Sequence, residues 1–329
     1  MGADVHGFSL DPPTSPSMFD LSNVGSLMHD HRGDIRDTAA LGSLIDTVKP
    51  EVIFHLAAQS LVRASYAEPL ETWSTNVMGT ANLLEAVHAA DRACAVVVVS
   101  SDKCYDNHGS AVGYREDDPL GGADPYSASK AGTELVARTW RDSFFSDDRG
   151  IFVASARAGN VIGGGDWATD RIVPDCVRSF VGGDRLELRN PGATRPWQHV
   201  LEPVGGYLLL ASRLLGHDAE RFATAWNFGP RDADVQPVKE LVSLFASQWG
   251  ADAGWYAADG EHPAEAAALS LNCEKAAHDL GWLPTWSLAE AATHTATWYQ
   301  AWHTAPASLP DVSIAQIASF ERAMNAAMS

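Results

Sequence analysis

Short apolar runs alternate with longer amphipathic stretches through the first half of the chain, the pattern of a parallel sheet flanked by helices. Strands are expected at 5–10, 27–31, 52–56, 95–100 and 152–156. The third and fourth carry the Val and Ile of strands buried on both faces. Between them, 38–48, 71–89 and 126–144 place apolar residues every three or four positions, which predicts helices with one face on the sheet. Beyond about residue 160 the alternation weakens and Gly, Pro, Arg and Trp increase, as in a loop-rich second lobe. The run 225–228 reads as one more buried strand, followed by helices near 237–249, 273–280 and 287–302. The expected organisation is an α/β, doubly wound parallel sheet over 1–160 and a smaller lobe over 161–329, with about 200–230 returning to the first domain.

Composition narrows the function classes. At 329 residues the chain suits one large two-lobed protein. No stretch approaches the roughly 20 apolar residues of a membrane-spanning helix, and the opening MGADVHGFSLDPP lacks a basic leader, so a cytoplasmic location without a membrane partner is expected. The net charge of −19 argues against nucleic acid as a partner. Arg171, Arg178, Arg185, Arg189 and Arg195 lie close together in sequence, either to gather an anionic ligand or as ordinary surface charge. Cys94, Cys104, Cys176 and Cys273 show neither disulfide nor zinc spacing. His29 and His31 form an H-x-H without a nearby third ligand, and no metal is expected.

Tyr126 and Lys130 open the helix at 126–144 one turn apart, so both project from one face. A tyrosine with a pKa near about 10 is a poor base at neutral pH, and an adjacent ammonium favours its phenolate. A lone Y-x-x-x-K also arises by chance as a half-buried tyrosine beside a solvated lysine. Its placement adds weight, because the apolar run Val96–Val99 ends in Ser100, Ser101, Asp102 and Lys103, and the carboxyl ends of parallel strands are where such sheets do chemistry. A turn that merely exposes polar groups is the alternative.

Ser101-Asp102-Lys103-Cys104-Tyr105, Tyr126-Ser127-Ala128-Ser129-Lys130, Arg157-Ala158-Gly159-Asn160 and Arg195-Pro196-Trp197-Gln198-His199 together resemble the CDP-glucose 4,6-dehydratases, within the extended short-chain dehydrogenase/reductases. The likeness runs nearly end to end and includes Leu10-Asp11-Pro12-Pro13, Gly33-Asp34-Ile35-Arg36-Asp37 and His55-Leu56-Ala57-Ala58-Gln59. Related dTDP-glucose dehydratases typically carry Asp-Glu where this chain has Asp102-Lys103. The resemblance implies a Rossmann-like first domain that binds NAD, a second lobe that binds a nucleotide sugar, a homodimer, and a lyase serving deoxysugar or cell-surface polysaccharide synthesis. It implies that Tyr126 takes the C4 hydroxyl proton, Lys130 lowers the pKa of Tyr126 and holds the nicotinamide ribose, and Ser101 bonds the reacting oxygen. Lys103 would act as the C5 base and Asp102 as the acid at C6.

Asp11, ending the first strand, would meet the adenosine ribose, which favours NAD over NADP. Asp34 and Ile35 would flank adenine, while Leu56, Ala57, Ala58 and Gln59 line the cofactor. Asn76 falls in a helix, where asparagine is disfavoured, so it is assigned to the cofactor site as well. On the substrate side the resemblance implies Asn160 at the diphosphate, Arg195 as its clamp, and Trp197 and His262 in the same pocket. Trp167 and Trp197 equally suit packing of the lobe.

The chain opens on the strand that ends in Asp11, without the glycine-rich turn that holds the cofactor pyrophosphate, so roughly 30 residues of a first βα unit are expected upstream. Poor NAD binding by the chain as written follows. An epimerase or decarboxylase of the same superfamily, opposed by Lys103, and a noncatalytic nucleotide-sensing protein remain open.

Overall fold

The computed structural model describes residues 2–110, 112–145, 149–250, 252–259 and 269–327. Six strands position the site: β1 (His6–Ser9), β2 (His29–Arg32), β3 (Val52–His55), β4 (Cys94–Val99), β5 (Ile151–Ala158) and β6 (Ala225–Phe228). The last four form one parallel sheet in the spatial order β6-β5-β4-β3. β1 and β2 pair in parallel as a separate two-stranded sheet. Phe8 of β1 and Ile53 of β3 pack against the same group of Leu41, Leu83 and Ala86, so the flanking helices bridge the two pieces.

Alternation along β4 explains why helices cover both faces. Val96 and Val98 pack with Leu84, Val87 and Ala137 on one side, whereas Ala95 and Val97 pack with Tyr207, Leu210 and Leu214 on the other. Each fully buried valine here contributes about 1.5–3 kcal/mol relative to exposure. The first side is built from α1 (Thr38–Val48), α2 (residues 69–90) and α3 (Pro125–Ser143). α1 starts where the Asp37 side chain accepts from the Ala40 amide, and ends at Lys49 in the left-handed region. α2 contains a π turn over Ser74–Met78, which locally changes the face its side chains present.

The second lobe packs α4 (Ile172–Val181), α6 (Val238–Trp249) and α7 (Leu288–Thr304) around Val177, Phe180, Leu241, Phe245, Trp298 and Tyr299. α5 (Leu201–Leu214) crosses back to cover the outer face of the sheet, and β6 returns to pair with β5. α8 (Leu309–Ala327) closes the described chain. Among the described residues, no helix is long and apolar enough to cross a membrane.

Two expectations shift. The second strand begins at His29 because Val24–Leu27 winds into a single 3-10 turn. α4, α5 and α8 lie where no helix is expected from the sequence. α5 carries Gly205 and Gly206, which read as loop, but a Cβ on Gly206 would lie 2.4 Å from the Phe228 ring, so the helix can sit this close to the sheet only with glycine there.

Candidate active site

β4 ends in a sharp turn. After Val99 the chain passes through Ser100 and Ser101 into one 3-10 turn over Asp102–Cys104, capped by the Ser101 side chain accepting from the Lys103 amide at 3.2 Å. The Ser101 hydroxyl donates to Asp102 Oδ1 at 2.9 Å, and Lys103 Nζ donates to that same oxygen at 3.2 Å. Asp102 is buried, and its other oxygen has no hydrogen-bond partner among the described residues. That oxygen faces Gly159, where a Cβ would come within 2.0 Å of it. Gly159 is therefore required by the close approach of a carboxylate, a need that its motif context alone does not reveal.

α3 brings Tyr126 to this turn. Asp124 caps the helix by accepting from the Ser127 amide at 2.9 Å, Pro125 begins it, and Tyr126 falls in its first turn. Burial raises the Tyr126 pKa, while the Lys103 ammonium, a hydrogen bond with Ser101 and the more distant Arg171 draw it back. Lys103 is the cation whose charge acts most on the phenol here. Lys130 is buried one turn further, donates to the Val99 carbonyl at 3.4 Å, and is lowered to about 8 by burial despite the nearby Glu134 carboxylate.

Glu134 lies one more turn along the same face, and sequence reasoning missed it. Its carboxylate accepts from Ser100 at the end of β4, from Ser155 of β5 at 2.7 Å and from Arg157 of β5 at 2.8 Å. Arg157 also donates to the Tyr105 hydroxyl at 2.7 Å and to the Glu116 carbonyl at 3.0 Å, and Tyr105 in turn donates to Asn227 of β6 at 2.7 Å. Burial alone would raise the Glu134 carboxyl, but Arg157 and the three hydrogen bonds outweigh it and hold the group below its usual range. The spacing 126, 130, 134 was the available signal: a polar stripe at helical period on an otherwise buried face.

The expected cofactor residues gather near the carboxyl ends of β1 to β3. Asp11 is exposed, with its carboxylate 3.9 Å from Arg32 Nε. Asp34 lies half-buried and accepts from Arg36, whose side chain holds the carboxyl below its ordinary value. Ile35 fits against Gly79 of α2 and joins the Leu41 group. Leu56 is exposed just past β3, and Ala57, Ala58 and Gln59 follow in a partly covered loop. Asn76, in the π turn, accepts from the Gln59 amide at 2.8 Å and donates to the Gln59 carbonyl at 3.0 Å and to Ser129 of α3 at 2.9 Å. It ties the β3 loop to the helix that carries Tyr126.

Asn160, Arg195 and Trp197 line a cleft of about 550 Å³ in the second lobe, together with Arg171 and Arg189. Asn160 takes a left-handed backbone conformation, and its buried side-chain oxygen has no partner among the described residues. Trp197 is mostly core: it packs in the second lobe and donates to the Gln236 carbonyl at 3.0 Å. Trp167 packs edge-on against Tyr299 and at a tilt against Trp302. Arg178 bonds Asp175 and Arg185 bonds the Trp255 carbonyl, so only three of the five clustered arginines face the cleft. His262 lies outside the described residues.

The buried pair predicts a large stability effect. Glu134→Gln leaves the Arg157 charge without its partner, and urea unfolding should show a loss of about 3–5 kcal/mol at neutral pH. A loss under about 1 kcal/mol would contradict the role given to the pair. Because the folded carboxyl lies below the ordinary value of 4.5, the contribution is complete above that value and fades as pH falls through the folded one.

The family model described as GDP-mannose 4,6 dehydratase matches residues 17–295. A CDP-glucose 4,6-dehydratase of Salmonella typhimurium is 51% identical over 306 residues, covering 92% of this chain and 85% of that protein. Among solved structures, a dTDP-glucose 4,6-dehydratase from Streptomyces venezuelae with NAD and TYD bound is 27% identical, with a TM-score of 0.67 over 83% of this chain and 80% of that one. A UDP-glucose 4-epimerase from Thermotoga maritima shares the fold at 21% identity, with a TM-score of 0.78 over 91% of each chain. The family model that matches most of this chain and the relative 51% identical to it place the chain in the nucleotide-sugar 4,6-dehydratase family, on the side of the CDP-glucose 4,6-dehydratases.

Proposed function

We propose that the chain is an NAD-dependent hydro-lyase that converts CDP-D-glucose to CDP-4-dehydro-6-deoxy-D-glucose and water. The observation that carries this reading is the pairing of buried Asp102 with Lys103 at 3.2 Å beside Tyr126. It sets an acid, a base and a phenol around one point.

The residues present suit the two ends of the cofactor, its adenosine and its nicotinamide ribose. Lys130 has one hydrogen-bond partner among the described residues, the Val99 carbonyl, and an ammonium has two further protons to give to a ribose. Asp11 offers an exposed carboxylate to a ribose diol, Gln59 is fixed by Asn76, and Ala57 and Ala58 leave room for close approach. Asp34, Ile35 and Leu56 complete the adenosine side. When bound, NAD supplies the redox partner that makes the C4 oxidation reversible within one site.

Tyr126 takes the C4 hydroxyl proton while Ser101 holds the C4 oxygen. The carbonyl formed at C4 acidifies C5, and Lys103 removes that proton. Asp102 gives a proton to the departing C6 hydroxyl. Two protons leave the sugar, from the C4 hydroxyl and from C5, and two are taken up, by the departing C6 hydroxyl and again at C5, so the count over Tyr126, Asp102 and Lys103 closes, with the Asp102–Lys103 contact joining acid and base. Arg171, Arg189, Arg195 and Asn160 surround the nucleotide diphosphate, where forked guanidinium donors match phosphate oxygens. Trp197 supplies a wall of that cleft, and His262 belongs to the same proposal. Four unpaired cysteines suit a reducing compartment, and a cytoplasmic enzyme is part of the reading.

A homodimer is also proposed. Leu70 and Trp73 of α2 and Leu135 of α3 are exposed on neighbouring helices, and pairing these helices across a two-fold axis would cover them. Light scattering should give twice the mass of one chain, whereas a monomer at all concentrations would end this part of the proposal.

In the holoenzyme, Tyr126→Phe should lower turnover of CDP-glucose by about 10²–10⁴-fold while leaving its affinity nearly unchanged, because only the proton acceptor is lost. Comparable turnover by the variant would overturn the assignment. Product that is an isomeric sugar nucleotide, with no water lost, would make the chain an epimerase instead.

A further inference from the structure

A second group of titratable side chains lies at the other ends of β1 and β2. In the parallel register His6 stands opposite His29, and Phe8 opposite His31. Positions two apart share a face of a strand, so the three imidazoles lie on one side. The His6 and His29 rings stack with centroids 4.4 Å apart, and the His6 and His31 rings at 5.3 Å. Asp4, two residues ahead of β1, places one carboxylate oxygen 3.1 Å from His29 Nε2 and the other 3.6 Å from His6 Nε2. The ligand atoms of Asp4, His6 and His29 all lie within 4.8 Å of one another.

From this geometry we propose that Asp4, His6 and His29 form a binding site for a zinc-class divalent cation, with solvent completing the coordination. Two imidazoles and one carboxylate are a donor set that zinc and its late first-row neighbours take, and that magnesium and calcium do not prefer. Ligand atoms around a tetrahedral zinc, with bonds of about 2.0–2.1 Å, are separated by roughly 3.3 Å. The two Asp4 oxygens lie 3.1 Å and 3.6 Å from the two imidazole nitrogens, near that separation. His6 Nδ1 lies 3.0 Å from His31 Nε2, and a proton on Nδ1 donated to His31 leaves the His6 Nε2 lone pair facing Asp4. Such an outer contact is what orients a ligating histidine.

The H-x-H at 29 and 31 thus divides its work: His29 ligates and His31 supports. The third ligand, absent from its sequence neighbourhood, arrives from the adjacent strand through the parallel pairing. The ion would clip together a two-stranded sheet whose pairing spans only four residue pairs. That sheet leads to Asp11 at its opposite end, so the clip steadies a strand of the cofactor side without touching the catalytic turn.

Isothermal titration of zinc chloride into metal-free protein at neutral pH should show one ion per chain with micromolar or tighter affinity, and magnesium chloride should show none. His29→Gln and the double variant His6→Gln/His29→Gln should bind zinc at least about tenfold more weakly, and His31→Ala about tenfold more weakly. Cobalt(II) should give visible absorption bands that the double variant loses. Circular dichroism controls for folding of each variant, and dehydration of CDP-glucose by His29→Gln should match that of the unaltered protein. Failure to bind zinc saturably, or zinc affinity unchanged in the double variant, would overturn the site. Neither result bears on the dehydratase reading.

Discussion

The ion pair between Glu134 and Arg157 is the constraint on which the site depends. Two opposite charges buried between α3 and the central sheet survive there because they pair with each other and each takes further hydrogen bonds, Glu134 from two serines and Arg157 to Tyr105 and the Glu116 carbonyl. Those bonds reach the end of β4 through Ser100, the middle of β5 through Ser155, and β6 through Tyr105 and Asn227. The helix that carries Tyr126 and Lys130 is thereby locked in register with the turn that carries Ser101, Asp102 and Lys103. A displacement of either element by a fraction of a hydrogen-bond length would strand a buried charge, so the geometry is held by the cost of the alternatives.

Electrostatics divides the molecule into distinct regions. The chain as a whole is strongly acidic, yet three arginines line the cleft of the second lobe, where an anionic ligand would be drawn in against the general field. At the turn that follows β4, burial works against the phenolate of Tyr126 and the ammonium of Lys130, and Lys103 partly offsets the first effect. Lys103, half-exposed at the mouth of the turn, touches both the tyrosine's field and the Asp102 carboxylate. Exchanging this residue for an acid would invert the local charge at the turn.

The first sheet was legible because its strands are short, apolar and separated by helices of clear period. The helix over Thr38–Val48 and the strand over Ala225–Phe228 lie where the pattern puts them. β2 was harder: its residues, His-Asp-His-Arg, are polar, and the apolar run before it belongs to a turn. α5 was hidden by Pro203, Gly205 and Gly206: the proline falls in the first turn, Gly205 lies against Phe320 of α8, and Gly206 against Phe228. α8 buries only Leu309, Gln316 and Phe320, too sparse a stripe to stand out. In the site, Tyr126, Lys130 and Ser101 follow from motif and strand-end position. Glu134, Gly159 and the support that Asn76 gives Gln59 depend on contacts between distant segments, which no local spacing displays.

The central claim is that one set of side chains, at the end of β4 and the start of α3, carries both the oxidation at C4 and the loss of water across C5 and C6. The most direct measurement is the fate of deuterium placed at C4 of CDP-glucose, followed by NMR and mass spectrometry of the product formed by the holoenzyme. The account predicts that the label appears at C6 of the same sugar, with a solvent-derived hydrogen at C5. Label released to solvent, or left at C4 of an isomerised sugar, would contradict it.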